Sequence, residues 1–581
     1  MMPFCRLSIV LLTFFAGIIN MSSLHAQSQI RNETILLFNK NKVLPIGDLA
    51  NKKIAVIHAL ENEFDPFIQI LRNYAAITTF GSQNFTENTK FFNTIILVGS
   101  SNSFPQSVLL AAAQAASNGK DVILCTFSTT KEHMQPFAAR YGGVYTELVA
   151  PDTEEVTQHN MAMSLFGGIG ITKGSPENHT RQTRIQYANP DLSAWDIPAL
   201  TAKIDEIAHE AIREKAAPGM VVMAVKDNKV LFHKAYGHHM YTAERNMEKN
   251  HIFDLASISK IAGTTPVIMH LFEQGKIDLN KTIGDYLWEA KNTDKTAISL
   301  RTVLLHEAGF TPFIPFYRYL KPGDLQSYPS ESHSVQVADG VFLRTNYYRD
   351  IMWPQMLQSP VKAPGNYVYS DISMYVLKEI AEHVSSTPME DFVANFLYKS
   401  IGMQTSGYNP RKRFEREQIV PTQNDTSFRK TLLHGFVHDE GAAMAGGVAG
   451  HAGLFGSAND LAIFGQMLLN KGTYGGVRYF NPSTVELFTS KQSASSRRGL
   501  GFDRYDPNSK TGYPSALANS SVFGHTGYTG TCIWIDPQNQ LVYIFLSNRV
   551  HPQVSAKLGE LNIRSRIQDA IYETINPMKN D

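Results

Sequence analysis

The sequence predicts an α/β protein with two domains, an N-terminal α/β sandwich and a larger α+β domain whose antiparallel sheet is flanked by helices. Three observations support this prediction. The chain has 581 residues, several times the length of a typical domain of about 150 residues. Short apolar runs alternate with helical stretches up to about residue 180. Pairs of strand-like runs lie at both ends of residues 197–581, and helix-rich sequence fills the middle.

Composition excludes several classes of function. The chain has 53 Lys plus Arg against 52 Asp plus Glu and 43% hydrophobic residues. This is the composition of a globular protein with an ample core. The near-equal numbers of basic and acidic residues leave no excess positive charge of the kind that binds nucleic acid. The three cysteines exclude a disulfide scaffold. We therefore expect no nucleic-acid partner.

The first 26 residues resemble a secretory signal peptide. Arg6 precedes an apolar run of about a dozen residues, and small residues lead to Ala26. The alternative is an uncleaved anchor, but the run is short for a bilayer span of about 20 residues. Cys5 lies before the run, so we expect no lipid anchor. The expected protein is exported, periplasmic or secreted, without stable membrane insertion after cleavage.

Residues 27–180 predict the α/β sandwich. Buried strands are expected at residues 53–58, 94–98 and 121–125, with a helix over residues 106–118. Strand–helix–strand repetition at this spacing is typical of a parallel sheet. No phosphate-binding glycine fingerprint follows the first of these strands. We therefore expect no nucleotide site and assign no cofactor to the protein.

Two pieces of this region resemble the C-terminal α/β domain of family 3 glycoside hydrolases of the N-acetylglucosaminidase type. They are residues 34–46, which read Thr-Ile-Leu-Leu-Phe-Asn-Lys through Val-Leu-Pro-Ile, and residues 165–168, Leu-Phe-Gly-Gly. In that family a catalytic barrel carrying the nucleophilic aspartate precedes this domain, and here only the signal segment does. We therefore expect no glycosidase activity. The domain is expected to be a scaffold, with sugar binding as the alternative.

Residues 181–196 are polar and aperiodic, and predict a linker to the second domain at 197–581. The second domain is expected to begin with a helix and a hairpin and to end with a strand pair and a helix. These elements are predicted at residues 197–215, 220–226, 229–236, 531–535, 541–546 and 557–574.

A serine followed by lysine three residues later is a nucleophile–base pattern that occurs five times, at Ser117, Ser128, Ser257, Ser359 and Ser427. Only Ser257 opens a long helical pattern, which Gly275 ends. Residues three apart share a helix face, so Lys260 can reach the Ser257 hydroxyl. The helix N-terminus and desolvation favour a neutral lysine that accepts the serine proton. The alternative is a capping serine beside a surface lysine.

The stretch from Asp254 to Lys260, Asp-Leu-Ala-Ser-Ile-Ser-Lys, resembles the first motif of class C β-lactamases, penicillin-binding proteins and related esterases. Two later stretches resemble the other motifs, in the expected order. Residues 364–371, Pro-Gly-Asn-Tyr-Val-Tyr-Ser-Asp, contain Tyr369, and residues 523–530 read Phe-Gly-His-Thr-Gly-Tyr-Thr-Gly. Residues 510–512, Lys-Thr-Gly, match the usual third motif by letter, but no strand pattern follows them, and we assign them to a loop.

The resemblance implies a role for each matching residue. Ser257 would attack a carbonyl and form an acyl-enzyme, while Lys260 and Tyr369 move protons. The backbone amides of Ser257 and Tyr528 would hold the oxyanion. The substrate cleft would be lined by Asp371, His525, Thr526, Gly527 and Tyr528.

Two of these positions depart from the β-lactamase pattern. Asp371 stands where β-lactamases usually have asparagine, and His525 stands where they usually have lysine. A permanent positive charge is thereby replaced by a titratable one, and a negative charge is added. Both changes predict weaker attraction for an anionic β-lactam and favour a peptidase, amidase or esterase.

Two further stretches resemble the cleft wall of penicillin-binding-protein-4B-like serine hydrolases. They are residues 434–440, His-Gly-Phe-Val-His-Asp-Glu, and the glycine-rich residues 446–455. Neither has a recognised metal-ligand spacing or a phosphate-loop setting, so we expect no metal.

These observations predict an exported serine hydrolase that cleaves an amide or ester bond in a peptidoglycan-derived substrate. A D-alanyl carboxypeptidase or muropeptide amidase is the concrete form, and the expected partner is a muropeptide or small-molecule substrate. The enzymatic alternative is a small-molecule esterase or weak β-lactamase. A non-catalytic binding module that keeps the fold is the third possibility. The sequence indicates no oligomeric state.

Overall fold

The structure is a computed structural model that describes residues 32–100, 103–127, 145–510 and 512–576. The signal segment predicted at residues 1–26 lies outside these ranges. Among the described residues, no helix combines the length and the hydropathy that crossing a membrane requires.

The N-terminal part is built on a six-stranded sheet. Its strands are β1 (Ile35–Phe38), β2 (Ile54–His58), β3 (Ile77–Gly81), β4 (Thr94–Ser100), β5 (Asp121–Phe127) and β6 (Thr146–Val149). They lie in the order β1-β6-β5-β4-β2-β3. All neighbours are parallel except β1, which pairs antiparallel with β6 at one edge. The three predicted strands are confirmed, whereas the antiparallel edge strand was not predicted.

Helices cover both faces of this sheet, as the α/β sandwich prediction requires. They are α1 (Asp65–Leu71), α2 (Phe85–Thr89), α3 (Gln106–Ser117) and α4 (Glu155–Phe166). Alternate residues of β4 point to opposite faces. Ile96 and Val98 share a core with α1 and α4, whereas Ile95 and Leu97 share one with α2 and α3. The doubly covered sheet explains why its strands read as continuous apolar runs.

The second sheet carries the candidate site. It consists of β7 (Gly219–Lys226), β8 (Lys229–Gly237), β9 (Asp503–Arg504), β10 (Phe523–Thr526), β11 (Cys532–Asp536) and β12 (Leu541–Ser547). All pairs are antiparallel, in the order β9-β10-β11-β12-β7-β8. Because β12 pairs with β7, the early hairpin and the late strand pair form one sheet, which confirms the sequence prediction.

Five longer helices surround this sheet. They are α5 (Ile197–Arg213), α6 (Thr265–Glu273), α7 (Asp371–Ser385), α8 (Ala458–Leu469) and α9 (Ile563–Ile575). Helices α5 and α9 share a core with Met220 and Val222 of β7, while α6, α7 and α8 share the opposite core with Val221 and Met223. The helix predicted at residues 557–574 is divided into Lys557–Glu560 and α9.

Shorter elements fill the rest of the second half. Short helices lie at Ile283–Tyr286, Leu300–Leu304, Trp353–Gln358, Met389–Val393, Lys399–Ile401, Glu440–Met444, Pro482–Thr489 and Lys557–Glu560. π-Helical turns lie at Lys260–Thr264, Tyr348–Met352 and Ala394–Tyr398. Short strands lie at Phe253–Asp254, Leu325–Gln326, Val335–Ala338, Val341–Leu343, Gly407–Tyr408, Asn424–Asp425, Thr431–Leu432, Leu454–Gly456, Thr473–Tyr474 and Val477–Arg478.

The segment predicted as a linker, residues 181–196, is packed at its start. Ile185 is fully buried, and its carbonyl accepts a hydrogen bond of 2.7 Å from Tyr74. The buried Arg184 guanidinium donates to the carbonyls of Ile46, at 2.8 Å, and Phe166, at 2.6 Å. These contacts hold the start of the segment against the N-terminal half, and Gln186 N donates to Asn228 O of the second half at 2.8 Å.

Candidate active site

Ser257 lies at a tight corner between a short strand and a helix. The strand Phe253–Asp254 leads into Ala256, whose φ of 46° lies in the left-handed region that non-glycine residues rarely adopt. The buried Asp254 carboxylate holds this corner, because it accepts N–H bonds from Ala256 at 2.8 Å and His438 at 2.6 Å. Burial raises the Asp254 pKa to about 6, although these two N–H bonds oppose the shift.

Lys260 begins a π-helical turn, Lys260–Thr264, before the chain enters α6. The sequence predicted one continuous helix here, and the wider turn was not anticipated. Such turns recur at functional sites. The fully buried Lys260 donates a hydrogen bond of 2.9 Å from Nζ to Ser257 Oγ. The alternative hypothesis, in which the lysine lies on the surface, is therefore wrong.

Tyr369 approaches the serine from the loop before α7. Its hydroxyl donates to Ser257 Oγ at 3.0 Å, and its ring lies 4.7 Å from Lys260 Nζ. The loop is held by the buried His306, whose carbonyl accepts from Val368 N at 2.8 Å and whose ring centroid lies 4.7 Å from that of Tyr369. Ser257 Oγ is thus in hydrogen-bond contact with the two groups that the sequence analysis assigned to proton transfer.

Asp371, the first residue of α7, contacts Lys260 rather than only lining the cleft. Its Oδ1 lies 2.9 Å from Lys260 Nζ. Burial lowers the pKa of Lys260, but Asp371 and then Tyr369 outweigh it, so that the net pKa is raised. The expectation of a neutral lysine in the resting site is therefore wrong. The helix N-terminus is a weaker influence than a carboxylate in direct contact.

The backbone after β10 is fixed against the nucleophile segment. Thr529 Oγ1 donates to Asp254 O at 2.8 Å, and Thr531 Oγ1 donates to Leu255 O at 3.2 Å. A Cβ atom on Gly527 would lie 2.5 Å from Leu255 O, so only glycine allows this approach. Within the described residues, neither Ser257 N–H nor Tyr528 N–H donates to another group. Both remain available to an oxyanion.

His525 and Thr526 lie at the end of β10. His525 Nδ1 lies 2.7 Å from Thr526 O, and its Nε2 lies 3.3 Å from Arg498 Nη1. A neutral imidazole that donates from Nδ1 and accepts at Nε2 satisfies both contacts. Burial, then Arg498 and Lys260, lower the His525 pKa to about 3. The expectation that His525 supplies a titratable charge near neutral pH is therefore wrong.

Arg498 supplies a fixed positive charge that the sequence analysis missed. It is 3% exposed, and its guanidinium carbon lies 5.4 Å from the Tyr369 ring. It donates to Tyr367 Oη at 3.0 Å and lies 3.7 Å from Asp503. Burial lowers the Arg498 pKa, but Asp503 and the two tyrosines outweigh it, so the net pKa is raised. The site therefore keeps the fixed charge it was expected to lack.

A cavity of about 600 Å³ opens beside Arg498 and Tyr367. Lys491, Arg497 and Arg504 also line it, with Asp506 as the acidic residue on its wall. The charged residues on its wall are therefore mainly basic, and one of them, Arg498, also contacts the Tyr369 ring. No sequence motif indicates Arg498, because it follows a serine-rich stretch. It reaches the site only through the packing of its loop.

The two stretches predicted as cleft wall meet behind Asp371. Asp439 Oδ1 lies 2.9 Å from His451 Nε2, and one ligand atom each of Asp371, Asp439 and His451 lies within 4.8 Å of the others. This is a possible metal-ligand set. The Lys260 ammonium already places a positive charge at 2.9 Å from Asp371 Oδ1, which opposes a cation there.

The other serine candidates lie elsewhere. Ser359 and Ser427 donate to Met356 O and to Asp425 at 2.7 Å and 3.1 Å. Ser117 ends α3, and Ser128 lies outside the described residues. Of the Lys-Thr-Gly stretch, the exposed Lys510 and Gly512 are outside any strand, and Thr511 is not among the described residues.

Comparison with known proteins identifies the family to which the chain belongs. The beta-lactamase family profile matches residues 204–567. The chain belongs to the beta-lactamase family. Together with the curated relatives below, this membership makes the protein a serine hydrolase of the β-lactamase and penicillin-binding-protein type. The matched residues do not include the N-terminal sheet, so the likeness of residues 27–180 to family 3 glycoside hydrolases stays a prediction.

Similar proteins extend over most of the same region. A Salmonella agona protein named "Putative D-alanyl-D-alanine carboxypeptidase" is 30% identical over 399 residues, covering 63% of this chain and 87% of its own length. A Salmonella typhimurium protein of the same name is 30% identical over 395 residues, with the same coverage. The β-lactamase/D-alanine carboxypeptidase of Pseudomonas syringae is 15% identical with a TM-score of 0.49, covering 64% of this chain and 99% of its own. A penicillin-binding-protein homologue of Caulobacter crescentus is 17% identical with a TM-score of 0.48, covering 64% and 97%.

Proposed function

We propose that this beta-lactamase family member is an exported hydrolase that forms an acyl-enzyme on Ser257 and cleaves peptidoglycan-derived amides or esters. A D-alanyl carboxypeptidase is the favoured form. The observation that carries the proposal is the position of Ser257 Oγ, 2.9 Å from Lys260 Nζ and 3.0 Å from the Tyr369 hydroxyl. The names of the Salmonella relatives support the choice of substrate.

In the proposed reaction the Lys260–Tyr369 pair first releases a proton to solvent, and Ser257 Oγ then attacks the substrate carbonyl and gives its own proton to that pair. The developing oxyanion would lie between the backbone amides of Ser257 and Tyr528. The same pair would return the proton to the leaving amine, which breaks the scissile bond. Water would then attack the acyl-serine and release the product acid.

Arg498 favours substrates that carry a carboxylate on the leaving-group side. A guanidinium binds a carboxylate in a fork of parallel N–H bonds. A peptide ending in D-alanine offers such a group, and a simple ester does not. A β-lactam also carries a carboxylate, so Arg498 removes the argument that the site lacks charge for an anionic β-lactam. A weak β-lactamase therefore stands as the second candidate.

The proposal is tested by exposing the protein and a Ser257→Ala control to a fluorescent penicillin, p-nitrophenyl acetate and purified muropeptides. Turnover and intact protein mass are followed together. We expect a mass increase of one acyl group on the wild type, release of D-alanine from muropeptides, and neither in Ser257→Ala. An unmodified, inactive wild type would contradict hydrolase function toward these substrates. Cleavage that survives in Ser257→Ala would contradict the assigned nucleophile.

A further inference from the structure

The cavity of about 600 Å³ beside Arg498 and Tyr367, hereafter the basic cavity, is the size of a complete ligand site. Small-molecule pockets in proteins have volumes of about 300–1,000 Å³. The Arg498 guanidinium carbon lies 5.4 Å from the ring centroids of both Tyr367 and Tyr369, and Tyr369 donates to Ser257 Oγ at 3.0 Å. A leaving group bound at Arg498 therefore has room for more than the methyl side chain of alanine.

Two of the basic residues on the wall of this cavity are held by carboxylates. Arg497 donates to Asp503 at 2.7 Å and 3.0 Å and to Asp506 at 3.0 Å. Arg498 lies 3.7 Å from the same Asp503. These two carboxylates orient both guanidiniums and offset their charge. The excess positive charge of the basic cavity therefore comes from its other two cations, Arg504 and Lys491.

Arg504 is a cation in a fixed position without an acidic partner. Its half-buried guanidinium donates to Ser520 O at 2.8 Å and to Thr489 O, and both acceptors are neutral carbonyls. In the part of the chain that the structure describes, no carboxylate forms an ion pair with Arg504 or with the exposed Lys491. A guanidinium has five N–H donors and stays charged in proteins. Arg504 therefore keeps an unmet attraction for an anion.

Strand pairing places Arg504 on the same face of the sheet as His525. Arg504 of β9 lies opposite Phe523 of β10, and His525 follows two residues later on β10. Residues directly opposite each other, and residues two apart on one strand, share a face. At about 3.4 Å per residue, Arg504 is displaced from His525 by about 7 Å along the strand. Arg498 Nη1 lies 3.3 Å from His525 Nε2, so the two arginines mark successive positions along one wall.

We propose that the basic cavity binds a second carboxylate of the substrate, on the side chain of the leaving residue. Arg498 takes the α-carboxylate of that residue, and Arg504 takes the side-chain carboxylate. The two carboxylate carbons of an extended glutamate are about 5 Å apart, since four bonds of about 1.5 Å join them. The preferred leaving group is then a dicarboxylic D-amino acid rather than D-alanine. This inference rests on the proposed function, because it assumes that the leaving group lies at Arg498.

The test compares N-acylated dipeptides that carry D-alanine on the acyl side and D-glutamate, D-glutamine or D-lysine as the leaving residue. D-glutamate and D-glutamine differ in charge but hardly in size, so the ratio of their kcat/KM values isolates the side-chain carboxylate. The ratio is measured for the wild type, Arg504→Gln, Arg504→Glu and the matched control Arg566→Gln. Arg566 pairs with Glu210 at 2.8 Å on the opposite face of the sheet. Thermal unfolding is recorded for every variant.

In the wild type we expect D-glutamate to be preferred over D-glutamine by about tenfold, the effect of one hydrogen bond to a charged group. Salt at about 1 M should reduce this preference, because Arg504 is only half-buried. Arg566→Gln is expected to keep the ratio, and Arg504→Gln is expected to bring it close to one. Arg504→Glu should make D-lysine a better leaving residue than D-glutamate. A damaged fold would slow all three peptides alike, so it cannot produce this reversal.

Several results would overturn the inference. One is a wild type that cleaves the D-glutamate and D-glutamine peptides equally well, and another is a preference that survives in Arg504→Gln. Inhibition by inorganic phosphate, with equal rates on the peptides, would mean that the cavity is a phosphate site and would overturn it too. A protein that is acylated on Ser257 but cleaves none of the peptides would overturn the inference and leave the nucleophile in place. The proposed function fails separately, if neither a penicillin nor p-nitrophenyl acetate adds an acyl group to Ser257.

Discussion

Replacing Arg498 with glutamine should weaken catalysis on substrates that end in a free carboxylate and leave neutral substrates nearly unaffected. The structure supports a clean substitution. Asp503, the acidic neighbour of Arg498, keeps its pairing with Arg497 at 2.7 Å and 3.0 Å. Removing Arg498 therefore does not strand a buried carboxylate. Glutamine also retains a polar group to face Tyr367.

The size of the effect follows from charge and distance. A carboxylate about 4 Å from a guanidinium gains about 4 kcal/mol at an effective dielectric constant of about 20. Measured hydrogen bonds to charged groups contribute about 1.5–3 kcal/mol after desolvation. At about 1.4 kcal/mol for each factor of ten, the expected loss is about 10- to 150-fold in kcat/KM.

The assay compares an N-acylated D-alanyl-D-alanine peptide with the same peptide as its C-terminal amide. kcat/KM is measured for both with the wild type, Arg498→Gln and a control, Arg566→Gln. Arg566 lies on α9 and pairs with Glu210 at 2.8 Å, on the opposite face of the sheet. We expect the acid substrate to lose its advantage over the amide only in Arg498→Gln. Equal losses on both peptides would refute carboxylate recognition by Arg498.

Three further outcomes follow from the geometry. Tyr369→Phe removes the hydroxyl 3.0 Å from Ser257 Oγ, and acylation, followed by intact mass, should slow by about 100- to 10,000-fold; an unchanged rate would contradict its part in proton transfer. The His525 pKa of about 3 lies below the ordinary 6.5. The neutral His525 side chain therefore contributes to folding stability above about pH 6.5, and this contribution is lost as pH falls toward about pH 3, because the unfolded chain binds the proton first. Urea unfolding of His525→Gln should therefore depend less steeply on pH in that window, and an equal slope would contradict a buried neutral ring. Gly527→Ala would bring a Cβ to 2.5 Å from Leu255 O, so both Tm and acylation should drop, and a variant with normal acylation would show that the approach of the two segments is not needed.

Local patterns were sufficient to predict much of the fold. The runs at residues 94–98 and 121–125 became β4 and β5, because strands covered on both faces are continuously apolar. The antiparallel edge strand β1 was not predicted, because pairing direction depends on where the chain returns in space. The polar composition of residues 181–196 predicted a linker, but burial of Ile185 depends on contacts with distant residues such as Tyr74.

The sequence by itself singled out Ser257, Lys260 and Tyr369 as candidates, because short motifs with fixed spacing carry them. Only the tertiary structure decided their electrostatic setting. Lys260 keeps its charge because Asp371, 111 residues away in sequence, lies 2.9 Å from it. The fixed positive charge comes from Arg498 rather than His525, again because the fold brings a residue from a distant loop to the site. A charge state depends on burial and on distances of a few ångströms, and no spacing along the chain records either quantity.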